Sequence, residues 1–429
     1  MNSLRVGIVS APRICFRLNG PFSGGEGECS AERVGPGKLL LRQGERTEEI
    51  PSGFTFRPLA PDASFDLQGV AIGVHFHWER TEEQRFRGAL EIIEEGATLT
   101  AVNVASLEDY LTSVISSEMN AAAPMELLKA HAVISRGWIL AQREKRKSPP
   151  ADRPATRGED IRWFDREEHL LYDVCADDHC QRYQGIGREN ERAARAVNST
   201  RGQVLVYQGK ICDTRFSKCC GGATERFESA WAADHHPYLV KVDDRADGPA
   251  SPDLRDEEHA REWILSRPRA DCDVADEQLL GNCLNDYDRE TRDFFRWSVS
   301  YAADELSAIV RERLRVDIGD LVDLQPVERG DSGRLTRLRL VGTLDSIVIG
   351  KELYIRQALS RTHLFSSAFV PVIERDLDGN PRRFTLRGAG WGHGVGLCQV
   401  GAAAMSANGS SYREILARYF PAAQLQTVY

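Results

Sequence analysis

No stretch of 18 consecutive apolar residues occurs in this 429-residue chain, so no membrane-spanning helix is expected. The opening MNSLRVGIVSAPRICFRLNG has no long apolar core and reads as a strand and a turn rather than an export signal. Basic charge is scarce relative to acidic. The net charge of -9 argues against a general nucleic-acid grip and against an electrostatic membrane anchor. Cysteine is too sparse for a disulfide scaffold, with ten in the whole chain. Without an export signal, those ten are expected to be reduced thiols in a cytosol. Internal repeats and long low-complexity segments are also missing. What is present is an ordinary globular composition, 41% hydrophobic and 28% charged, in a chain long enough for two or more subdomains.

The pattern of residue types predicts an α+β fold, with helices packed on β-sheet in a mixed core. Residues 1–100 form a β-rich N-terminal region, because short runs such as KLLLRQG, FTFRPL and ALEIIEEGATLTAVNVA are separated by Gly, Pro and Asn turns. Residues 101–245 carry the first part of the core and residues 301–429 the second. Between them, 246–300 is polar and reads as a small helical insertion. The charged, Pro-rich stretch 146–165 reads as a surface excursion.

One acid stands out. Ser106 is a good N-cap with Asp109 three residues on, and Leu107, Leu111, Val114, Ile115 and Glu118 then share one helix face. The helix is expected to end near Asn120, and Pro124 to open a second helix at its first turn. That second helix buries Leu127, His131, Ile134, Trp138 and Ala141. Glu118 therefore either closes an apolar stripe or faces solvent at a frayed end. A carboxyl removed from water has its ionised form penalised, which is one route to a general acid near neutral pH.

Three further constellations carry chemistry. GAGWGHGVG places Gly390, Gly392, Gly394 and Gly396 two apart, so in an extended chain one face is bare backbone and Trp391, His393 and Val395 line the other. The bare face lets a sugar approach, or lets another segment pack tightly. HLLYDVCADDHC offers His169, Cys175, His179 and Cys180, a Cys₂His₂ set suited to a closed structural zinc, or else a loop with two free thiols. VHFHW places His75 and His77 on one strand face with no evident third ligand. Cys272 and Cys283 flank a short loop and could pair if the protein is exported, whereas adjacent Cys219 and Cys220 are better read as free thiols.

LEDYLTSVISSEMNAAAPMELLKAHAVISRGWIL resembles the opening pattern of the SpoIID/LytB family, Y-L-x-G-V-x-x-x-E-M followed by E-A-L-K-A-Q-A-V-A-A-R-T-Y. GAGWGHGVGLCQVGAAAMSANGSSYREILARYFPAAQL resembles its closing pattern, G-x-G-W-G-H-G-V-G-M-S-Q-x-G-A. FSKCCGGATERFESAWA is similar to the F-x-x-x-x-G-G-x-T block that lies between them. The resemblance implies a peptidoglycan lytic enzyme whose catalytic acid is the Glu of the E-M pair, here Glu118. It also implies substrate contacts from Trp391, His393, Gln399, Gly221, Gly222 and Thr224. Some members of the family carry zinc in the loop corresponding to His169–Cys180. This chain departs from the pattern at His131, where the family has Gln, at Gly137-Trp138, at Cys398, and at Cys219-Cys220.

By this resemblance the expected reaction is lytic transglycosylation of glycan strands, with Glu118 acting first as acid and then as base and leaving 1,6-anhydro-muramic ends. No cofactor is required for the chemistry. A hydrolase would need a second carboxylate at defined distance, and none is evident beside Glu118. The alternative within the family is a non-catalytic glycan-binding module that enhances a cell-wall amidase, which would then be a partner. A zinc hydrolase built on the His/Cys set is the weakest reading, because four protein ligands leave no open position for water. The resemblance places the protein in the cell envelope or outside the cytoplasm, in tension with the missing export signal. It further predicts that the Gly390–Gln399 run and the Glu118 helix line one groove.

Overall fold

The computed structural model describes residues 3–72, 80–146, 158–163, 169–177, 179–245, 247, 249–283 and 293–429. The fold is α+β and divides into two compact units, each interrupted in sequence. The first comprises Met1–Ala122, Glu168–Gly202 and Tyr429, and the second comprises Ala123–Glu167 and Gln203–Val428.

Among the described residues, the first unit opens with ten strands: β1 (Ser3–Ala11), β2 (Arg13–Phe22), β3 (Gly25–Gly35), β4 (Lys38–Gln43), β5 (Arg46–Pro51), β6 (Phe54–Phe56), β7 (Ser64–Ile72), β8 (Arg80–Arg87), β9 (Ala89–Glu95) and β10 (Thr98–Ser106). Six of them form an antiparallel sheet in the order β5-β4-β3-β2-β7-β8. A second sheet runs β1-β10-β9-β6, and the two-residue strand Val174–Cys175 adds to β1 in parallel. Alternation does the sorting. Ile14, Phe16 and Leu18 of β2 are buried while Arg13 and Arg17 point out. Phe16 from one sheet meets Phe56 from the other at 5.1 Å between ring centres, which seals the layer between them. The hairpin strands β2 and β3 are absent from the strand-like runs that the sequence singles out. Their glycines and prolines mask the period of two.

Helix α1 (Leu107–Glu118) leaves β10 directly. Ser106 ends the strand and caps the helix, accepting from the Asp109 N–H at 3.1 Å. This is the cap expected from sequence. Leu107, Leu111, Val114, Ile115 and Glu118 are all buried.

In the second unit, α2 (Met125–Lys145) follows Pro124. Pro124 occupies the N-cap position, one residue earlier than expected, where its missing N–H costs nothing. The expected stripe from Leu127 to Ala141 is buried, but so are Arg136, Ser135 and most of the remaining face, so α2 is an interior helix. The helix Ala303–Leu314 packs Leu306 and Val310 with Leu321, Leu338, Ile355 and Phe384 in one hydrophobic core of this unit. The four-stranded sheet Glu159–Ile161, Ser346–Gly350, Leu335–Gly342, Leu321–Arg329 and the three-stranded sheet Arg296–Ala302, Pro381–Ala389, Phe369–Arg375 complete that region. Within 249–283, two short helices occur, Glu257–Leu265 and Glu277–Cys283. The first of these buries Trp263 and Ile264 against Ala223, Val370 and Ala389.

Candidate functional site

Glu118 is the last residue of α1 and is 8% exposed. Its Oε1 accepts a hydrogen bond from the backbone N–H of Arg182 at 3.1 Å. The whole segment 181–190 is fastened along the same helix. Tyr110 donates its hydroxyl to Gln181 Oε1 at 3.3 Å, Ser113 Oγ donates to the Gly185 carbonyl at 2.7 Å, and the Asn190 N–H donates to Ser116 Oγ at 3.3 Å. Tyr183 stacks on Tyr110 with 5.1 Å between rings and donates to Asn103 Oδ1 at 2.6 Å. The carboxylate is thus oriented by a polar contact on its own unit, at the end of a face that is otherwise apolar.

Immediately before that segment, His169, Cys175, His179 and Cys180 come together, with their four ligand atoms all within 4.8 Å of one another. Cys175 Sγ lies 3.5 Å from His179 Nδ1. Cys180 Sγ lies 3.5 Å from His169 Nε2 and 3.8 Å from His179 Nδ1. Hydrogen bonding from Cys180, followed by His169 and His179, holds the Cys175 thiol well below the usual range despite its burial. Cys175 is fixed by the pairing of Gly7 with Cys175 and by the Ala176 N–H bonding to the Gly7 carbonyl at 3.0 Å. Gly7 must lack a side chain here, because a Cβ would fall 2.6 Å from the Tyr172 ring, which itself stacks on His169. Four converging N and S donors are a set able to hold a metal ion. The His75/His77 pair lies outside the described residues.

The glycine run belongs to the second unit, and its conformation differs from the extended chain expected. Gly390, Gly392, Gly394 and Gly396 have φ of 74°, 88°, 76° and 75°. L-residues strongly disfavour this left-handed region, so the two-residue repeat is a repeat of backbone shape and not of a strand face. Close packing adds to the requirement. A Cβ on Gly396 would lie 2.2 Å from the Arg215 carbonyl oxygen, and one on Gly394 would lie 2.5 Å from the Arg334 guanidinium. Arg334 is buried and donates to the Gly392 carbonyl at 3.0 Å and to the Cys220 carbonyl at 3.1 Å. Cys219 and Trp391 exchange both backbone hydrogen bonds, at 3.1 and 2.8 Å.

His393 Nδ1 accepts from the Val395 N–H at 3.0 Å, and its ring meets the edge of Trp231 at 4.9 Å. Loss of water, then the charges of Arg215, Arg334 and Arg356, hold its pKa well below the usual value, so the ring is neutral. Trp391 stacks on Phe294 at 5.0 Å and stays partly exposed. Gln399 is buried and its Nε2 lies 3.0 Å from His131 Nε2. Thr224 Oγ1 donates to the Val240 carbonyl at 3.0 Å and accepts from the Val242 N–H at 2.7 Å, pinning that segment. Gly221 and Gly222 have φ of 81° and 111°, and a Cβ on Gly221 would meet Gly390 N at 2.8 Å. In this unit, then, Trp391 and His393 keep exposed surface, while Gln399, Thr224, Gly221 and Gly222 are engaged inside the fold.

Sequence reasoning did not single out Arg182, Arg334 or Glu225. Arg182 acts through its backbone, which no residue pattern reports. Glu225 is fully buried and accepts from the N–H groups of Asp331 and Ser332 at 3.0 Å each and from Ser332 Oγ at 2.6 Å. A polar residue three positions after Gly222 gives no hint of such a socket. None of the ten cysteines forms a disulfide, and Cys272 lies 3.7 Å from Cys220.

Two family models match the chain. Residues 95–207 match the stage II sporulation protein family, and residues 225–396 match a domain of unknown function, DUF8618. An uncharacterized protein of Brachyspira hyodysenteriae is 27% identical over 337 residues, covering 78% of this chain and 70% of that protein. The amidase enhancer of Bacillus subtilis is 25% identical over 338 residues, covering 73% of this chain, which spans only 40% of that longer protein. Stage II sporulation protein D of Bacillus amyloliquefaciens is 24% identical over 317 residues, covering 73% of this chain and 72% of the relative. The segment matched by the sporulation-protein model contains Glu118, its supporting loop and the His/Cys set, and together with these relatives it supports the likeness to the SpoIID/LytB family.

Proposed function

We propose that this chain cleaves peptidoglycan glycan strands as a lytic transglycosylase with Glu118 as its acid and base. The observation that carries the reading is the placement of Glu118: 8% exposed, at the end of an apolar helix face, with Oε1 held by the Arg182 amide at 3.1 Å. A carboxyl group fixed in this way presents its second oxygen in one direction, which is what positioned proton transfer requires. Protonated Glu118 gives its proton to the glycosidic oxygen after N-acetylmuramic acid, and the C1–O bond breaks. The oxocarbenium-like C1 is then attacked by the 6-hydroxyl of the same sugar. The C1–O6 bond forms, the hydroxyl proton passes to the Glu118 carboxylate, and the acid is restored. One carboxyl group suffices because the nucleophile is part of the substrate and no external water has to be held. In the second unit, Trp391 offers a stacking surface for a sugar ring and His393 a neutral ring, and both are proposed glycan contacts of that unit.

In the same reading, His169, Cys175, His179 and Cys180 hold a structural zinc. Bond lengths of about 2.3 Å to sulfur and 2.0–2.1 Å to nitrogen give a tetrahedron with S···N edges of about 3.6 Å. The S···N separations of 3.5, 3.5 and 3.8 Å match that edge. With four protein ligands the ion supplies no reactive position. What it supplies is a fixed start to the segment that carries the Arg182 amide.

The amidase enhancer among the relatives favours a second reading, a glycan-binding module without chemistry that assists a cell-wall amidase. Incubating purified glycan strands with the protein separates the two. Release of 1,6-anhydro-ended fragments, identified by mass spectrometry and lost in Glu118→Gln, supports lysis. Co-sedimentation with glycan but no fragments from the wild type would replace the first reading with the second.

A further inference from the structure

Four donor groups that neither the proposed chemistry nor the His/Cys loop uses lie together in the second unit. Cys220, Asp244, Cys272 and Cys398 are drawn from four separate stretches of the second unit, and their ligand atoms all lie within 4.8 Å of one another. Each is at most 2% exposed. We propose that this cluster is a second metal site, binding one Zn²⁺ through three thiolates and one carboxylate oxygen.

The geometry argues for an ion at the centre. Cys220 Sγ and Cys272 Sγ are 3.7 Å apart, and a tetrahedral zinc–thiolate site has S···S edges of about 3.8 Å. Donors this close surround a single ion and leave no room for a multi-iron cluster. Three soft thiolates with one oxygen, in a closed buried pocket, select zinc over magnesium or calcium.

The surroundings are arranged as supports for ligands. Cys398 Sγ accepts two backbone N–H groups, from Cys220 at 3.2 Å and from Gly401 at 3.4 Å. Such donors stabilise a sulfur that carries negative charge. Asp244 is fully buried. Its Oδ2 accepts from the Cys272 N–H at 2.8 Å and its Oδ1 from the Tyr419 hydroxyl at 2.5 Å. The carboxylate is held facing the thiols in the way that outer hydrogen bonds orient metal ligands. Gly401 makes room for this: a Cβ there would fall 2.5 Å from Asp244 Oδ1 and 2.3 Å from the Tyr419 hydroxyl oxygen. The pocket thus gathers three thiols and a carboxyl group away from water, a donor set whose ionised form a cation would neutralise.

The site would act as a clamp. Cys220 follows Cys219, whose backbone pairs with Trp391, and Cys398 caps the helix Gln399–Ala407. One ion would therefore tie the base of the glycine run to the polar stretch that contains Cys272.

The test uses the full chain with Cys175→Ser and Cys180→Ser, which disables the His/Cys loop and so separates this proposal from that one. Protein purified under reducing conditions without added metal is expected to keep one zinc per chain by elemental analysis. The additional change Cys272→Ser should lower this to near zero. Because a buried substitution can fail to fold, a second measurement leaves the pocket intact. The Cys175→Ser, Cys180→Ser protein is stripped with chelator and titrated with Co²⁺, and the intense near-ultraviolet thiolate-to-cobalt band of a tetrahedral site should saturate at one equivalent. A folded protein that holds no zinc and gives no such band would overturn the proposal. So would a Cys220–Cys272 disulfide found by thiol counting and peptide mapping in freshly purified, unreduced protein that lacks metal.

Discussion

His131 Nε2 and Gln399 Nε2 lie 3.0 Å apart, in a place where water does not reach. Ser135 Oγ lies 3.2 Å from the other ring nitrogen, and the Phe216 ring covers the face at 4.4 Å. The carboxamide of Gln399 is thus consumed by a residue of its own unit. A histidine stands here where the family pattern has glutamine, and both side chains can complete that hydrogen bond.

This pair predicts a pH dependence of stability. Burial, with Lys218 as the nearby positive charge, lowers the His131 pKa from 6.5 to about 3. The unfolded chain takes up the proton first, so the contribution is neutral above pH 6.5 and increasingly destabilising as the pH falls towards 3. Between pH 6.5 and 5 the loss should be about 2 kcal/mol, from 1.36 kcal/mol per pH unit. His131→Gln should be within about 1 kcal/mol of wild type at pH 7.5, as is usual for near-isosteric changes. The variant should also lose less stability than wild type at pH 5. Chemical denaturation of both proteins at the two pH values measures the difference, and parallel losses would remove the assignment.

Glu118→Gln should keep the fold, since its amide oxygen can still accept from Arg182, and should slow glycan cleavage by at least ~10²-fold, the usual scale of a lost general acid. Thermal unfolding alongside the release of anhydro-ended fragments separates the two effects. Turnover near the wild-type rate would end the catalytic assignment.

Removing the zinc proposed for the His/Cys loop should reach Glu118 indirectly. The Tyr183 N–H bonds to the Ala176 carbonyl at 2.9 Å, and the Arg182 N–H bonds to Glu118. Both amides lie just beyond Cys180. Chelation, or Cys175→Ser with Cys180→Ser, should therefore speed hydrogen exchange at Arg182 and Tyr183 while leaving β2 and β3 protected. Unchanged exchange at these two amides would show that the loop stands without an ion.

Two glycines give a controlled comparison. Gly396→Ala must place a Cβ 2.2 Å from a carbonyl oxygen at φ 75°, whereas Gly409→Ala, at φ 92°, meets nothing within 4 Å. The second change should cost about 1–2 kcal/mol, the conformational penalty alone. The first should cost at least ~3 kcal/mol, because backbone must also shift. Denaturant midpoints of the two variants test the ordering.

Much of the architecture was readable where one physical rule dominates. The Ser106 cap and the buried face of α1 follow directly from capping and helical periodicity. The His169–Cys180 set was readable because its ligands are close in sequence. The Cys220, Asp244, Cys272, Cys398 set was not, because its members are brought together only by tertiary structure. The glycine run was visible as a pattern but carried the wrong reason: spacing of two suggests a strand, and only the dihedral angles reveal left-handed turns. Arg182 was invisible, since any residue but proline supplies a backbone N–H.

The strand Gln203–Tyr207 has Lys210–Ile211 on one side and Gln424–Thr427, from the far end of the chain, on the other. During synthesis, Val204, Leu205 and Val206 emerge long before the partner that will cover their second edge. An unpaired strand of this kind is an invitation to intermolecular pairing. Until Gln424–Thr427 has been made, the second edge of Gln203–Tyr207 stays open in the nascent second unit.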